Sequence, residues 1–258
     1  MPQQIIIFGN TTSGAGKTTT LAQIAVALLR LGRTVGTLDL DEDHDGLTRF
    51  LDRRRAHDAA LPQPAHHRLP ANGRDEKTLA TALTLTLADM AAGHDIILID
   101  TPSTLTPLAR LAHGYADIVA TTVRGDDYTS LATLKNNTAR IEKPAPYAEM
   151  LEDHAIRRHA RGAAPAQWLA LRSRAPIKPI SNKRQSVDLL DKISSTLGFS
   201  PVAGLHERPL YNDLFAKGLT PFDQKDSLDM PTLAARQEVR SLIHALTPET
   251  AAPVKDAV

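Results

Sequence analysis

The chain has 258 residues, enough for one large α/β domain or two small ones. Its charges nearly cancel, 30 Lys plus Arg against 29 Asp plus Glu, which excludes a uniformly basic nucleic-acid coat. It has no cysteine, which excludes disulfides, Cys-ligated zinc, iron–sulfur clusters and thiolate catalysis together, and with aromatics at 4% the core must come from Ala, Leu, Ile and Val.

Ile5-Ile6-Ile7-Phe8 is a continuous apolar run that predicts a strand buried on both faces. A loop, Gly9 to Thr18, follows it. Leu21, Ile24, Ala25, Leu28 and Leu29 then recur at helical spacing, with Gly32 as the stop. Thr34 to Leu40 predicts a second strand, ending in acids from Asp39 to Asp45. Strand, loop, helix and strand make the βαβ unit of a parallel sheet. Residues 56–73, with Pro62, Pro64 and Pro70, read as loop. Asp75 to Ala92 reads as helix and Ile96 to Ile99 as strand, closed by Asp100-Thr101-Pro102. Residues 117–123 and Trp168 to Leu171 predict further strands. Leu205 to Phe215 and Leu233 to Leu246 predict helices. Met1-Pro2-Gln3-Gln4 lacks the charged segment and long apolar run of a secretion signal, and no stretch is apolar enough to span a membrane, so the expected location is cytoplasmic.

The segment Gly14-Ala15-Gly16-Lys17-Thr18 between a strand and a helix is the context that gives a phosphate-binding loop its meaning. Backbone N–H groups from Ser13 to Thr18, with Thr19 behind them, can wrap a phosphate at the positive end of the helix dipole. Gly14 and Gly16 permit close approach of backbone, and Ala15 stands between them. Lys17 would reach the β- and γ-phosphates, and the Thr18 hydroxyl would hold Mg²⁺. An acid at the end of a neighbouring strand completes such a site, and Asp100 fits that place.

At these residues the chain resembles the ParA/MinD family of P-loop ATPases, and within it the MipZ division-site regulators. The resemblance also rests on Asp39-Leu40-Asp41, Ile97 to Pro102, Ala112-His113-Gly114-Tyr115-Ala116-Asp117 and Gly204-Leu205. Tyr211 to Leu219 and Leu233-Ala234-Ala235-Arg236-Gln237-Glu238 extend it to the C-terminal part. It implies a single P-loop NTPase domain over residues 1–248, a mostly parallel twisted sheet flanked by helices, and a flexible tail at 249–258. It implies ATP and Mg²⁺ as cofactors, with Thr18, Asp39 and Asp100 around the metal and Asp41 orienting the attacking water. It further implies an ATP-dependent homodimer, nonspecific double-stranded DNA binding with nucleoid association, and FtsZ and ParB-like proteins as partners. Three positions depart from the family pattern. Thr12 stands where the signature lysine belongs and Ser13 where a glycine follows it. Ser173, in Leu171-Arg172-Ser173-Arg174, replaces the Asn that reads adenine. A Thr cannot bring a cation to the developing phosphate charge, so hydrolysis is left open. The alternative function is a nucleotide-binding regulator acting through protein contacts; a minor alternative is an ATP-dependent small-molecule ligase.

Other signals compete. Asp41-Glu42-Asp43-His44-Asp45-Gly46 with Asp52 follows calcium-loop spacing, yet a strand precedes it and Asp52 is short for bidentate ligation, so an acidic switch loop is expected. His57, His66, His67, His154 and His159 lack zinc-helix spacing and read as solvated loop histidines. Between Asp153 and Asp188 there is no acid but eight cations: Arg157, Arg158, Arg161, Arg172, Arg174, Lys178, Lys183 and Arg184. Such a stripe predicts phosphate-backbone contact, and Arg174, Lys178, Lys183 and Arg184 are the expected DNA-binding residues. The helix from Leu233 lacks the bulky, cationic face of a membrane anchor and is expected to pack on the sheet.

Overall fold

The computed structural model describes residues 4–124, 127–135, 141–175, 183–224, 227 and 229–247, with the side chains of 183–188 excepted. Lys178, the side chains of Lys183 and Arg184, and the tail at 249–258 therefore lie outside the described residues.

The expected α/β architecture is present. Strands β1 (Gln4–Phe8), β2 (Val35–Asp39), β3 (Ala65–Arg68), β4 (Ile96–Asp100) and β5 (Ile118–Arg124) alternate with helices α1 (Lys17–Arg30), α2 (Gly46–His57), α3 (Glu76–Gly93) and α4 (Pro107–His113). A small antiparallel pair, β6 (Ala132–Leu134) and β7 (Ile141–Pro144), follows. The chain continues through α5 (Pro146–Ala160), β8 (Gln167–Ser173), α6 (Lys183–Leu197), β9 (Ser200–Ala203), α7 (Pro209–Phe215) and α8 (Met230–Leu246). Seven strands form one sheet in the order β3-β2-β4-β1-β5-β8-β9, every neighbour parallel.

Strand periodicity divides the core. Ile6 and Phe8 face the side covered by α1, α2, α7 and α8, where Leu21, Leu28, Phe50, Tyr211, Val239 and Leu242 are buried. Ile7 faces the opposite side, packed with Leu83, Leu87 and Met90 of α3 and with Tyr147 and Met150 of α5. Both faces of β1 are thus filled, as its unbroken apolar run demands. A third cluster joins Val123, Tyr128, Leu131 and Ile193 at the far end of β5.

Two expectations need correction. Residues 56–73 contain a strand, β3, which pairs only with β2 at the sheet edge. An edge strand of Ala65-His66-His67-Arg68 needs no apolar alternation, so composition hides it. The helix expected from Leu205 starts only at Pro209, where the proline can occupy the first turn. Helix α8 packs on α1 as expected for a core helix. Among the described residues no helix is long and apolar enough to cross a membrane.

One charged cluster ties α2 into this frame. The Arg54 side chain is fully buried and its guanidinium meets Asp223 at 2.7 and 2.9 Å, with further bonds to the carbonyls of Pro62 and Gly218. Arg30 of α1 reaches the same carboxylate at 2.6 Å. Gly218, at φ +71°, runs so close to α2 that an added Cβ would lie 2.1 Å from the Arg54 nitrogen.

Candidate functional site

The site lies at the C-terminal ends of the central strands, where β1 leads into α1 and the sheet then grows to either side. Open α/β sheets place ligands in that crevice. Gly9 begins the loop in very close quarters: a Cβ there would sit 2.5 Å from the Tyr147 hydroxyl and 2.6 Å from His113 Nε2. Asn10 follows, buried, donating from Nδ2 to the Thr122 carbonyl of β5 at 2.6 Å. The loop then turns through Gly14 (φ +70°) and Gly16 (φ +91°), conformations that only glycine adopts freely, and α1 begins at Lys17. An open cleft of about 250 Å³ is bounded by this loop on one side and by Leu205 to Arg208 on the other.

Lys17 donates from Nζ to Asn10 Oδ1 at 2.7 Å and to Ser103 Oγ at 2.8 Å. Burial lowers its pKa, against the opposing pull of Asp100 and Asp41. The Thr18 hydroxyl donates to Asp100 Oδ2 at 2.6 Å. Asp100 Oδ1 is buried with no hydrogen-bond partner. Burial, and then the neighbouring Asp39, push the Asp100 carboxyl up to about 7. Two like charges end adjacent strands in register, Asp39 beside Asp100, an arrangement that favours a cation between or in front of them.

The acidic loop is dispersed rather than convergent. Asp39 accepts from the Asp41 backbone at 3.0 Å, the Thr48 backbone at 3.1 Å and the Thr48 hydroxyl at 2.7 Å. Glu42 accepts from the backbone N–H groups of Ala71 and Asn72. Asp45 pairs with Arg68, and Gly46 rests on the Thr18 methyl. Only Asp41 and His44 of this loop face the cleft. Among the described residues no group of three or more His, Asp or Glu could hold a metal ion alone. Magnesium differs, because it takes one or two carboxylates and completes its shell with phosphate and water.

The cleft fits a nucleotide with Mg²⁺ on its own features: a glycine cradle, a lysine at its floor, and a threonine hydroxyl beside a buried carboxylate with a free oxygen. Ser13, Gly14, Ala15, Gly16, Lys17, Thr18 and Thr19 all border it, with Asp41 opposite. Ser173 borders it too, but its hydroxyl is buried without a partner, 2.6 Å from where a Gly204 Cβ would be. Asp39 is beside Asp100, yet its oxygens serve the 41–48 segment. Arg174, part-exposed at the mouth of the cleft, donates to the Gly14 carbonyl at 2.8 Å. Arg158, of the basic stripe, donates to the carbonyls of Ala116 and Ala164.

Several site residues escaped the sequence reading. Asn10 and Ser103 hold Lys17 from loops that only the sheet brings together. His66, far from a solvated loop residue, sits between Thr37 and Thr48 at 3.0 Å from each, and burial lowers its pKa. His154 is half-buried, again with a lowered pKa from burial. Glu238 of α8 accepts from Arg208 at 2.6 Å, the Tyr211 hydroxyl at 3.0 Å and the His206 backbone at 3.2 Å, and so fixes the far wall of the cleft. Glu238 and Tyr211 lie in the C-terminal segments that carry the family resemblance, and in the structure they build this wall.

A glycine cradle opening α1 behind the central strand of a parallel sheet, with Thr18 on Asp100, defines a P-loop nucleotide-binding protein of the ParA/MinD type. The family model described as ATPase MipZ matches residues 4–249, and the chain belongs to that family. The chromosome-partitioning ATPase Soj of Thermus thermophilus is 29% identical over 138 residues, covering 48% of this chain and 55% of Soj, so the match spans about half that relative. Among solved structures, an ATP complex of Cyanothece McdA superposes with a TM-score of 0.65 at 15% identity, over 95% of this chain and 96% of that one. The septum site-determining protein MinD of Pyrococcus horikoshii with Mg-ADP gives 0.60 at 17% identity, over 96% and 98%. At such identities the structural likeness is one of fold.

Proposed function

We propose that this chain is a MipZ-type ATP-dependent switch in the spatial control of cell division. The observation that carries the proposal is the family match over residues 4–249, laid on a cleft lined by Lys17, Thr18 and Asp41, with buried Asp100 behind Thr18. In this reading the loop from Ser13 to Thr19 binds the phosphates through backbone N–H groups and Lys17 Nζ, with Ser173 at the base end. Thr18 and Asp100 hold Mg²⁺, with Asp39 behind them, and the ion neutralises phosphate charge when bound. Asp41 accepts from and orients the attacking water. Asn10 and Ser103 release Lys17 toward the phosphates. The output is an ATP-dependent homodimer that binds double-stranded DNA without base readout, through Lys178, Lys183 and Arg184, in the cytoplasm and on the nucleoid. An FtsZ-type filament is the regulated partner and a ParB-like protein the positional cue.

A second reading is favoured by Thr12 and Ser13. Without a lysine in that early loop position, the chain would bind nucleotide, hydrolyse it weakly, and act by protein contact alone. ATP turnover measured together with oligomeric mass, on wild type and on Thr12→Lys/Ser13→Gly with Mg²⁺, separates the two. Turnover with dimerisation in wild type supports the switch. A wild type that binds ATP but stays monomeric and inert, while the double variant recovers both, replaces it with the regulator.

A further inference from the structure

The turn after β8 adopts a backbone its sequence does not favour. Among the described residues, three other than glycine have positive φ: Asp45, Asn72 and Arg174. Asp and Asn tolerate the left-handed region because their short side chains bond locally, whereas an Arg there costs about 1–2 kcal/mol. Strain of this kind persists where the surroundings enforce it, and it gathers at functional sites. Arg174, at φ +54°, is held by its own N–H on the Leu205 carbonyl at 2.6 Å and by the neighbouring bridge of Ala175 to His206.

The consequence is where the side chain goes. It turns back over the phosphate-binding loop, with Cγ 3.9 Å from the Cβ position of Gly16 and Nη1 3.9 Å from that of Gly14. Nη1 donates to the Gly14 carbonyl at 2.8 Å, and Nη2 lies 3.7 Å from the half-exposed carboxylate of Glu207. One hydrogen bond and one long ion pair leave most of the five guanidinium N–H donors unused. The side chain is 33% exposed, at the mouth of the cleft. The other cations that line the cleft are engaged: Lys17 by Asn10 and Ser103, Arg208 by Glu238. A nucleoside triphosphate brings several negative charges into this space, and an arginine fork is suited to phosphate oxygens.

We propose that Arg174 is a phosphate-binding residue of the nucleotide site, contributed by the same subunit, which exchanges the Gly14 carbonyl for phosphate oxygens when nucleotide binds. The proposal rests on the nucleotide reading of the cleft. It moves Arg174 from the DNA-contacting stripe to the loop lacking a lysine at Thr12.

The test uses the full chain, with Arg174→Gly and Arg174→Lys. Glycine accepts φ +54° without strain and removes only the side chain, while lysine keeps the charge and loses the fork. Adenosine, ADP and ATP, with Mg²⁺, are titrated in competition with a fluorescent ADP analogue, and duplex DNA binding is measured without nucleotide. Arg174→Gly should weaken ADP and ATP by roughly 10- to 100-fold, the worth of one charge-assisted pair. Adenosine and DNA binding should not change, and Arg174→Lys should recover part of the loss. Unchanged ADP and ATP affinity with weakened DNA binding overturns the proposal in favour of the DNA stripe. An equal loss for adenosine overturns it in favour of a purely structural clasp. A wild type that binds neither ADP nor ATP overturns the nucleotide reading itself, and this proposal with it.

Discussion

Replacing Asp223 by Asn tests the account of how α2 is held. Asp223 is 2% exposed and accepts from Arg54, itself fully buried, at 2.7 and 2.9 Å, and from Arg30 at 2.6 Å. The amide removes the charge and leaves the Arg54 guanidinium without a counter-ion in the interior. Breaking a buried pair from one side costs about 3–5 kcal/mol. For a chain of this size that corresponds to a fall in melting temperature of roughly 6 to 20 °C. Arg54→Met together with Asp223→Asn should lie closer to wild type than Asp223→Asn alone, because the desolvation penalty then disappears with the charge. Chemical denaturation of the three proteins supplies the free energies. The acid limb adds a second readout. Arg54 and Arg30 hold the Asp223 carboxyl down at about 2 against the opposing effect of burial. That stability is complete above the ordinary value near 3.8 and is lost as pH falls through about 2, a contribution of at most about 2 kcal/mol after screening. Asp223→Asn should flatten this limb. A single variant within about 1 kcal/mol of wild type, or a double variant no better than the single, would refute the reasoning.

Gly218→Ala should be worse than a usual surface change, since its Cβ meets backbone atoms of Arg54 at 2.1 Å in a left-handed turn; loss of more than about 3 kcal/mol is expected by denaturant titration. His113 is buried neutral, its pKa pushed down to about 4 by burial, so the native state resists the proton that the unfolded chain takes near 6.5. Stability should therefore fall as pH drops from about 6.5 to 4, by about 3 kcal/mol, and His113→Gln should remove that dependence in a pH series of melts. Asp100→Asn removes a carboxylate that burial disfavours in its charged form, so without Mg²⁺ the variant should be at least as stable as wild type at pH 8. The same variant should lose Mg²⁺-dependent ADP binding, measured by calorimetry. In wild type that binding should strengthen as pH rises through about 7, as Asp100 gives up its proton.

The central βαβ unit was legible because its signals are local: an apolar run, a glycine loop and a helix-spaced stripe within the first forty positions. Asp100 was legible because a buried strand ends in it. What failed depended on distance in sequence. Ser103 reaches Lys17, and Glu238 reaches His206 and Arg208, only through the order of the parallel strands. In sequence Arg54 is one more charge in the run Arg53-Arg54-Arg55, and nothing nearby announces that Asp223 will pair with it in the interior. The basic stripe shows the same limit from the other side. Composition counts Arg158 and Arg174 in one stripe of cations, whereas in the structure both are part-exposed and donate to backbone carbonyls of their own subunit.

The loop carrying Asp41 is pinned on both flanks: Glu42 to the backbone after β3, Asp45 to Arg68, Gly46 against Thr18, and α2 beyond it through Arg54. His44 is tied in turn to Asp41 and Arg49, which leaves Asp43 as the exposed tip between those anchors. Under the proposed switch, the change this loop can make is confined to one rim of the cleft, not the swing of an arm. Under that proposal a partner that distinguishes the nucleotide states would sit on that rim and sense relief, much as a fingertip reads one raised dot.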